Sequence, residues 1–144
     1  MPKLERLPDW VNSLNNWIEH VREIPFSWGN NDCCLSACNA VLAITGIDVA
    51  AQFRNQYFNK SGALMILEEY GGVNGIAEAV FSSQFKCRSV DPYLGRRGDV
   101  ALLKNDDIDF ECLGVCGGSN IVCPSDKGAK FLSISLASKV WRIG

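Results

Sequence analysis

Trp28-Gly29-Asn30-Asn31-Asp32-Cys33-Cys34, running straight into Leu35-Ser36-Ala37-Cys38-Asn39-Ala40-Val41-Leu42-Ala43-Ile44, is the stretch that decides the fold. A polar turn here delivers the chain into an apolar segment. Asp32 is placed to cap a helix by accepting backbone N–H bonds near Cys34 or Leu35, and Gly46 after Thr45 marks its stop. Only Ser36, Asn39 and Thr45 interrupt the apolar surface, the pattern of a helix in the middle of a fold. A cysteine at the first turn of such a helix sits where the macrodipole favours a thiolate, which makes Cys33 the first candidate for chemistry.

Upstream, Leu7-Pro8-Asp9 reads as a helix start, and Trp10, Val11, Leu14, Trp17, Ile18, Val21 and Ile24 recur at helical spacing until Pro25. Downstream, Asp48 to Phe58 predicts a short helix. Ser61 is the expected cap of another, through Leu64 and Leu67 to Gly71-Gly72, and Val73 to Phe81 predicts one more. From Phe85 on, short β-branched and apolar runs alternate with Gly, Asp, Asn and Pro. The predicted strands are Cys87–Val90, Asp99–Leu103, Phe110–Cys116, Asn120–Cys123, Lys130–Ile134 and Lys139–Ile143, with the acidic loop Asn105-Asp106-Asp107-Ile108-Asp109 as a hairpin connection. Helices followed by antiparallel strands mean an α+β fold and not a doubly wound parallel sheet. No repeat, linker or low-complexity tract divides the chain, so residues 1–144 are read as a single domain.

Fourteen basic and sixteen acidic residues give a formal charge of −2, without the basic footprint of a nucleic-acid-binding protein. No leader pattern and no apolar stretch near bilayer length is present, so a soluble product without a membrane span is expected. Seven cysteines in no regular framework read as reduced thiols of a reducing compartment. The only histidine, His20, falls on the first helix beside Glu19. Cys34 and Cys38 lie one helical turn apart and Cys112 and Cys116 share a strand face. The two pairs together form a possible four-thiolate site for zinc or an iron–sulfur cluster, although paired C-x2-C knuckles are lacking. No cofactor is otherwise expected. Gly114, Gly117 and Gly118 do not open a helix after a strand, so they read as close packing and a turn, not as a phosphate loop. Trp10, Trp17, Phe26 and Trp28 suit either a core or a groove for a sugar or peptide.

Pro25-Phe26-Ser27-Trp28-Gly29-Asn30-Asn31-Asp32-Cys33, Thr45-Gly46, Gly71-Gly72, Arg96-Arg97-Gly98-Asp99-Val100, Leu113-Gly114-Val115-Cys116-Gly117 and Trp141-Arg142-Ile143 follow one another in a specific order. Over nearly the whole chain this order resembles a family of tailed-phage and prophage tail-region proteins of unknown function, distantly similar to NlpC-type cell-wall cysteine peptidases. The resemblance implies a papain-like, NlpC-like fold, with a helical N-terminal half whose central helix carries Cys33 packed on a C-terminal antiparallel sheet. Asp32-Cys33 matches the nucleophile motif of those peptidases and Gly98-Asp99 their strand start. Cys112, two positions before Gly114, stands where the catalytic histidine is expected.

A thiol is a poor substitute for an imidazole as general base, because its pKa is higher and its thiolate is itself a competing nucleophile. The implied function is therefore a structural component of a phage tail tip or baseplate, a degenerate cysteine peptidase rather than an enzyme. It would be made in the host cytoplasm and carried in the virion, with other tail proteins as partners. One alternative is an active peptidoglycan endopeptidase or amidase used during DNA entry, its base supplied by His20 or by a partner protein. A second is a cysteine-ligated metal or iron–sulfur protein.

Overall fold

The computed structural model describes residues 3–104 and 111–144. Helix α1, Trp10–Val21, turns Leu14, Trp17, Ile18 and Val21 into the core. It ends sooner than the periodicity suggests. Ile24 already lies beyond it, with its N–H on the Val21 carbonyl in a tight turn that leads to Pro25. Asp9 occupies the N-cap position, yet its side chain makes no capping bond.

Helix α2, Leu35–Thr45, ends as expected at Gly46, whose φ of 75° is the left-handed conformation of a helix stop. Its buried residues lie on nearly every side, from Leu35 and Ala37 to Val41 and Ile44. Cys33 stands one residue before the N-cap, Cys34, so it belongs to the turn and not to the helix proper.

The helix expected over 48–58 is absent; the segment is a run of turns. Asp48 accounts for this, because its carboxylate accepts the Ala50 N–H at 3.1 Å and the Arg54 guanidinium at 2.8 Å, competing locally with helical bonding. Asn55, with φ of 64°, then breaks any helical continuation. Helix α3, Lys60–Tyr70, is capped by Asn59, which accepts the Gly62 N–H, and not by Ser61. Helix α4, Val73–Ala77, widens into a π-helical segment, Glu78–Gln84, three residues longer than the pattern predicted. That widening accompanies the packing of Phe81 on Trp141 and a hydrogen bond from the Trp141 indole to the Ser82 hydroxyl at 3.0 Å.

All six expected strands are present with shifted ends: β1 Ser89–Val90, β2 Val100–Lys104, β3 Glu111–Cys116, β4 Asn120–Ser125, β5 Gly128–Ser133 and β6 Ala137–Trp141. They form one antiparallel sheet in the order β1-β6-β2-β3-β4-β5. The fold is α+β, with four α-helices and this six-stranded sheet among the described residues. The acidic loop 105–109 lies outside them, although the β2–β3 register from Val100↔Val115 to Lys104↔Glu111 is that of a hairpin.

Alternation divides the sheet between two cores. Val100, Leu102, Leu113, Val115, Val122 and Trp141 join the helices, whereas Ala101, Leu103, Cys116, Ile121, Cys123 and Val140 form a second cluster. Gly114 admits the close approach of β4, since a Cβ there would meet Ile121 Cγ2 at 2.6 Å and the Val122 carbonyl oxygen at 3.0 Å.

Asp99, fully buried at the head of β2, ties the chain ends to the sheet. Its carboxylate accepts the Arg96 and Ile143 N–H groups at 2.9 Å and the Arg6 and Arg142 guanidiniums at 3.1 Å. No helix among the described residues is long and apolar enough to cross a membrane.

Candidate functional site

The turn before α2 is built on Asp32. The Ser27–Asn31 bridge closes the turn, and Gly29 adopts φ of 86° with its Cα side against the Tyr57 carbonyl, a place where a Cβ would come within 2.6 Å. One carboxylate oxygen of Asp32 accepts the N–H groups of Cys34 and Leu35, at 3.1 and 2.9 Å. The other accepts Gly29 N–H at 2.9 Å and the Tyr57 hydroxyl at 2.5 Å. Asp32 is fully buried and has four donors. Its charge is held by the N-terminal end of α2 and by these donors without a cation among them. Burial, and then the hydrogen bond to Asp32, hold the Tyr57 phenol well above its ordinary pKa, so Tyr57 is a neutral donor.

This turn sets Cys33 against the sheet. The Cys33 carbonyl accepts the Leu113 N–H at 2.7 Å, which joins the start of α2 to β3 beside Cys112. The position of the expected nucleophile and the position where the resemblance calls for histidine are thus brought together. Cys33 lies between two spaces. On the inner side is an apolar cavity of about 20 Å³ walled by residues such as Cys38, Phe53, Tyr57 and Leu113. On the outer side is a cleft of about 570 Å³. Cys33 is only 3% exposed, so the cleft reaches it at its floor.

Phe26 and Trp28, ring centroids 4.7 Å apart and edge to face, form one wall of the cleft. Cys112, Cys123, Leu103 and Leu132 line another part, and Lys60, Lys127, Lys130 and Asp126 are the charged residues of the cleft. The aromatic quartet of the sequence is therefore divided: Phe26 and Trp28 line the groove, Trp17 is in the core, and Trp10 lies under the Arg6 guanidinium, 4.2 Å from the ring centre. His20 is exposed on α1 and does not line the cleft.

The cysteines differ in what their surroundings do to them. Hydrogen bonding with Cys33 and burial raise the Cys34 thiol well above its ordinary value, and burial pushes Cys38 up to about 12. Burial likewise raises Cys116 to about 12 and Cys87 to about 11. The hydrogen bond to Cys123 raises Cys112, with burial adding to it, while the same bond lowers Cys123, helped by Lys130 and opposed by burial.

The four-thiolate site is not assembled. Cys34 and Cys38 face the apolar cavity, whereas Cys116 lies beneath Gly95, its sulfur 3.2 Å from where a Cβ of that residue would stand, in the second core cluster. Alternation along β3 keeps Cys116 on the side of the sheet away from α2. Among the described residues no group of three or more His, Cys, Asp or Glu side chains is arranged to hold a metal ion.

Three residues of the site were not singled out in the sequence. Tyr57 falls in the segment read as a helix, and no local pattern marks it as the fourth donor to Asp32. Cys123 and Lys130 carry a signal, because the turn at Gly117-Gly118 folds β4 back on β3 and the β4–β5 register then sets Cys123 opposite Lys130.

The buried thiols link stability to pH. A thiol held protonated in the fold ionises more readily in the unfolded chain, so its contribution is fully present below pH 9.0, the ordinary value, and is lost as pH rises through about 12. Each such thiol removes about 1.4 kcal/mol of stability per pH unit within that window. Urea unfolding under reducing conditions is expected to show a midpoint that falls steadily above pH 9. A midpoint unchanged across that range would contradict the burial of Cys38 and Cys116.

A family model described as Domain of unknown function (DUF6950) matches residues 5–143, and the chain belongs to that family. No curated protein matches it.

Proposed function

We propose that this member of the family is a structural component of a phage tail tip or baseplate, with an NlpC-like, papain-like fold whose hydrolytic centre is no longer functional. The observation that carries this reading is the meeting of Cys33 and Cys112 at the cleft floor. Cys33 stands at the start of the central helix over a buried Asp32, as a peptidase nucleophile would. The strand position opposite offers a thiol held protonated, and the chain's one histidine is exposed elsewhere.

General-base catalysis needs a group within hydrogen-bond reach that takes a proton near neutral pH. Cys112 does not meet that need. What remains is a rigid core, an anchored Cys33 turn and an aromatic cleft suited to docking, with other tail proteins as partners and the virion as destination. The alternative, a peptidoglycan endopeptidase or amidase, is favoured by one feature, the open cleft that leads to Cys33. It requires the base to arrive from a partner protein, because His20 is outside the cleft.

The test is quantitative mass spectrometry of particles purified after induction of a phage genome that carries this gene. The chain is expected in the particles at a fixed ratio to tail proteins. Recovery only in the soluble lysate, with particles free of it, would overturn the structural reading.

A further inference from the structure

Cys112 and Cys123 stand apart from the other thiols. They come from neighbouring antiparallel strands, lie on the same side of the sheet and both line the open cleft. Each thiol shifts the other's ionisation, Cys112 upward and Cys123 downward, as neighbours in one site do. The Cys112 S–H donates to the Leu113 carbonyl oxygen at 3.3 Å, which fixes its sulfur on this face of β3. Lys130 is the cross-strand partner of Cys123, and the other charged groups of the cleft are Lys60, Lys127 and Asp126. A thiol across the strands from a lysine, with a second thiol on the neighbouring strand and a cavity in front, is the environment of a reactive cysteine with a resolving partner. Cys34 and Cys38, which face only the apolar cavity, lack such a cation-lined opening.

We propose that Cys112 and Cys123 form a dithiol site that undergoes exchange with small-molecule disulfides entering the cleft. The Cys123 thiolate attacks one sulfur of the disulfide R–S–S–R, whose S–S bond breaks and releases one thiolate RS⁻. The Cys112 thiolate then attacks the Cys123 sulfur of the mixed disulfide and expels the second RS⁻. The two protons lost by the cysteines pass to the two released thiolates through solvent. The protein dithiol is oxidised to a Cys112–Cys123 disulfide, and one small disulfide is reduced to two thiols. This site does not depend on a role in a tail, since it uses neither Cys33 nor a partner protein.

The test uses the full chain, reduced and then exposed at neutral pH to oxidised glutathione. Remaining thiols are alkylated, and the modified residues are located by tandem mass spectrometry. The wild-type chain is expected to lose two hydrogens in mass with a Cys112–Cys123 crosslink, while Cys34 and Cys38 stay free until the protein is unfolded. The variant Cys112→Ser is expected to stop at a glutathione adduct on Cys123, and Cys123→Ser is expected to give neither adduct nor crosslink in the cleft. Absence of the crosslink in the folded wild-type chain, or its formation between other cysteines, overturns the proposal whether or not the variants fold. So does a Cys112→Ser adduct found on Cys33 instead of Cys123.

Discussion

Replacement of Asp99 by alanine is expected to cost about 3–5 kcal/mol, the penalty for leaving buried charge without its partner. Arg6 and Arg142 both converge on this carboxylate, with side chains only 15% and 13% exposed. Without Asp99 two cations face one another in a partly buried space, and the N–H groups of Arg96 and Ile143 lose their acceptor. Many domains of this size have a total stability of about 5–15 kcal/mol, so the variant is expected to unfold at a markedly lower urea midpoint. Replacing Arg6 and Arg142 by methionine together with Asp99→Ala should restore part of the loss, because it removes the unpaired charges while the two N–H groups stay without their acceptor. A midpoint for Asp99→Ala within the scatter of surface variants would show that the clamp carries no weight.

The second large effect is expected at Asp32. Asp32→Ala removes the acceptor of three backbone N–H groups and of Tyr57 in one step. Loss of a helix cap and of hydrogen bonds to a charged acceptor together amount to about 3 kcal/mol. Asp32→Asn keeps one oxygen for Cys34 and Leu35 but turns an amide N–H2 toward Gly29 N–H, so an intermediate loss is expected. Tyr57→Phe removes a single bond and should cost about 1 kcal/mol. The order Ala, Asn, then Phe in declining severity, read from urea midpoints, checks the account of the turn. Equal effects of Asp32→Asn and Asp32→Ala would mean that the contacts to Cys34 and Leu35 contribute little.

Much of the fold was legible because its strongest signals are local. Asp32 followed by an apolar run to Gly46 contains a cap, a buried body and a stop, and α2 follows that pattern residue by residue. The six strands were legible from alternation and turn residues, and only their ends moved. The failures came where a side chain overrode periodicity. Asp48 draws 48–58 into turns, Asn59 takes the cap expected of Ser61, and packing of Phe81 on Trp141 extends the last helical segment as a π-helix.

The site divided in the same way. Asp32, Cys33 and Cys112 stand out in the sequence because they sit in recognisable motifs. Tyr57 reaches Asp32 across 25 positions through a segment without a pattern, so only the folded chain reveals it. The proposed thiolate cluster failed for a long-range reason as well: spacing on one helix and on one strand was right, but it does not say which side of the sheet each strand residue occupies. Cys116 lies on the far side from Cys34 and Cys38.

The most direct test of the proposal that the cleft is peptidase-like but without hydrolytic chemistry is the release of soluble peptides from purified peptidoglycan by the reduced protein, compared with its Cys33→Ala variant. The two are expected to be indistinguishable and equal to buffer, since among the described residues no histidine or other general base lines the cleft beside Cys33. Peptide release by the wild-type chain that disappears in Cys33→Ala would contradict the account and establish the enzyme.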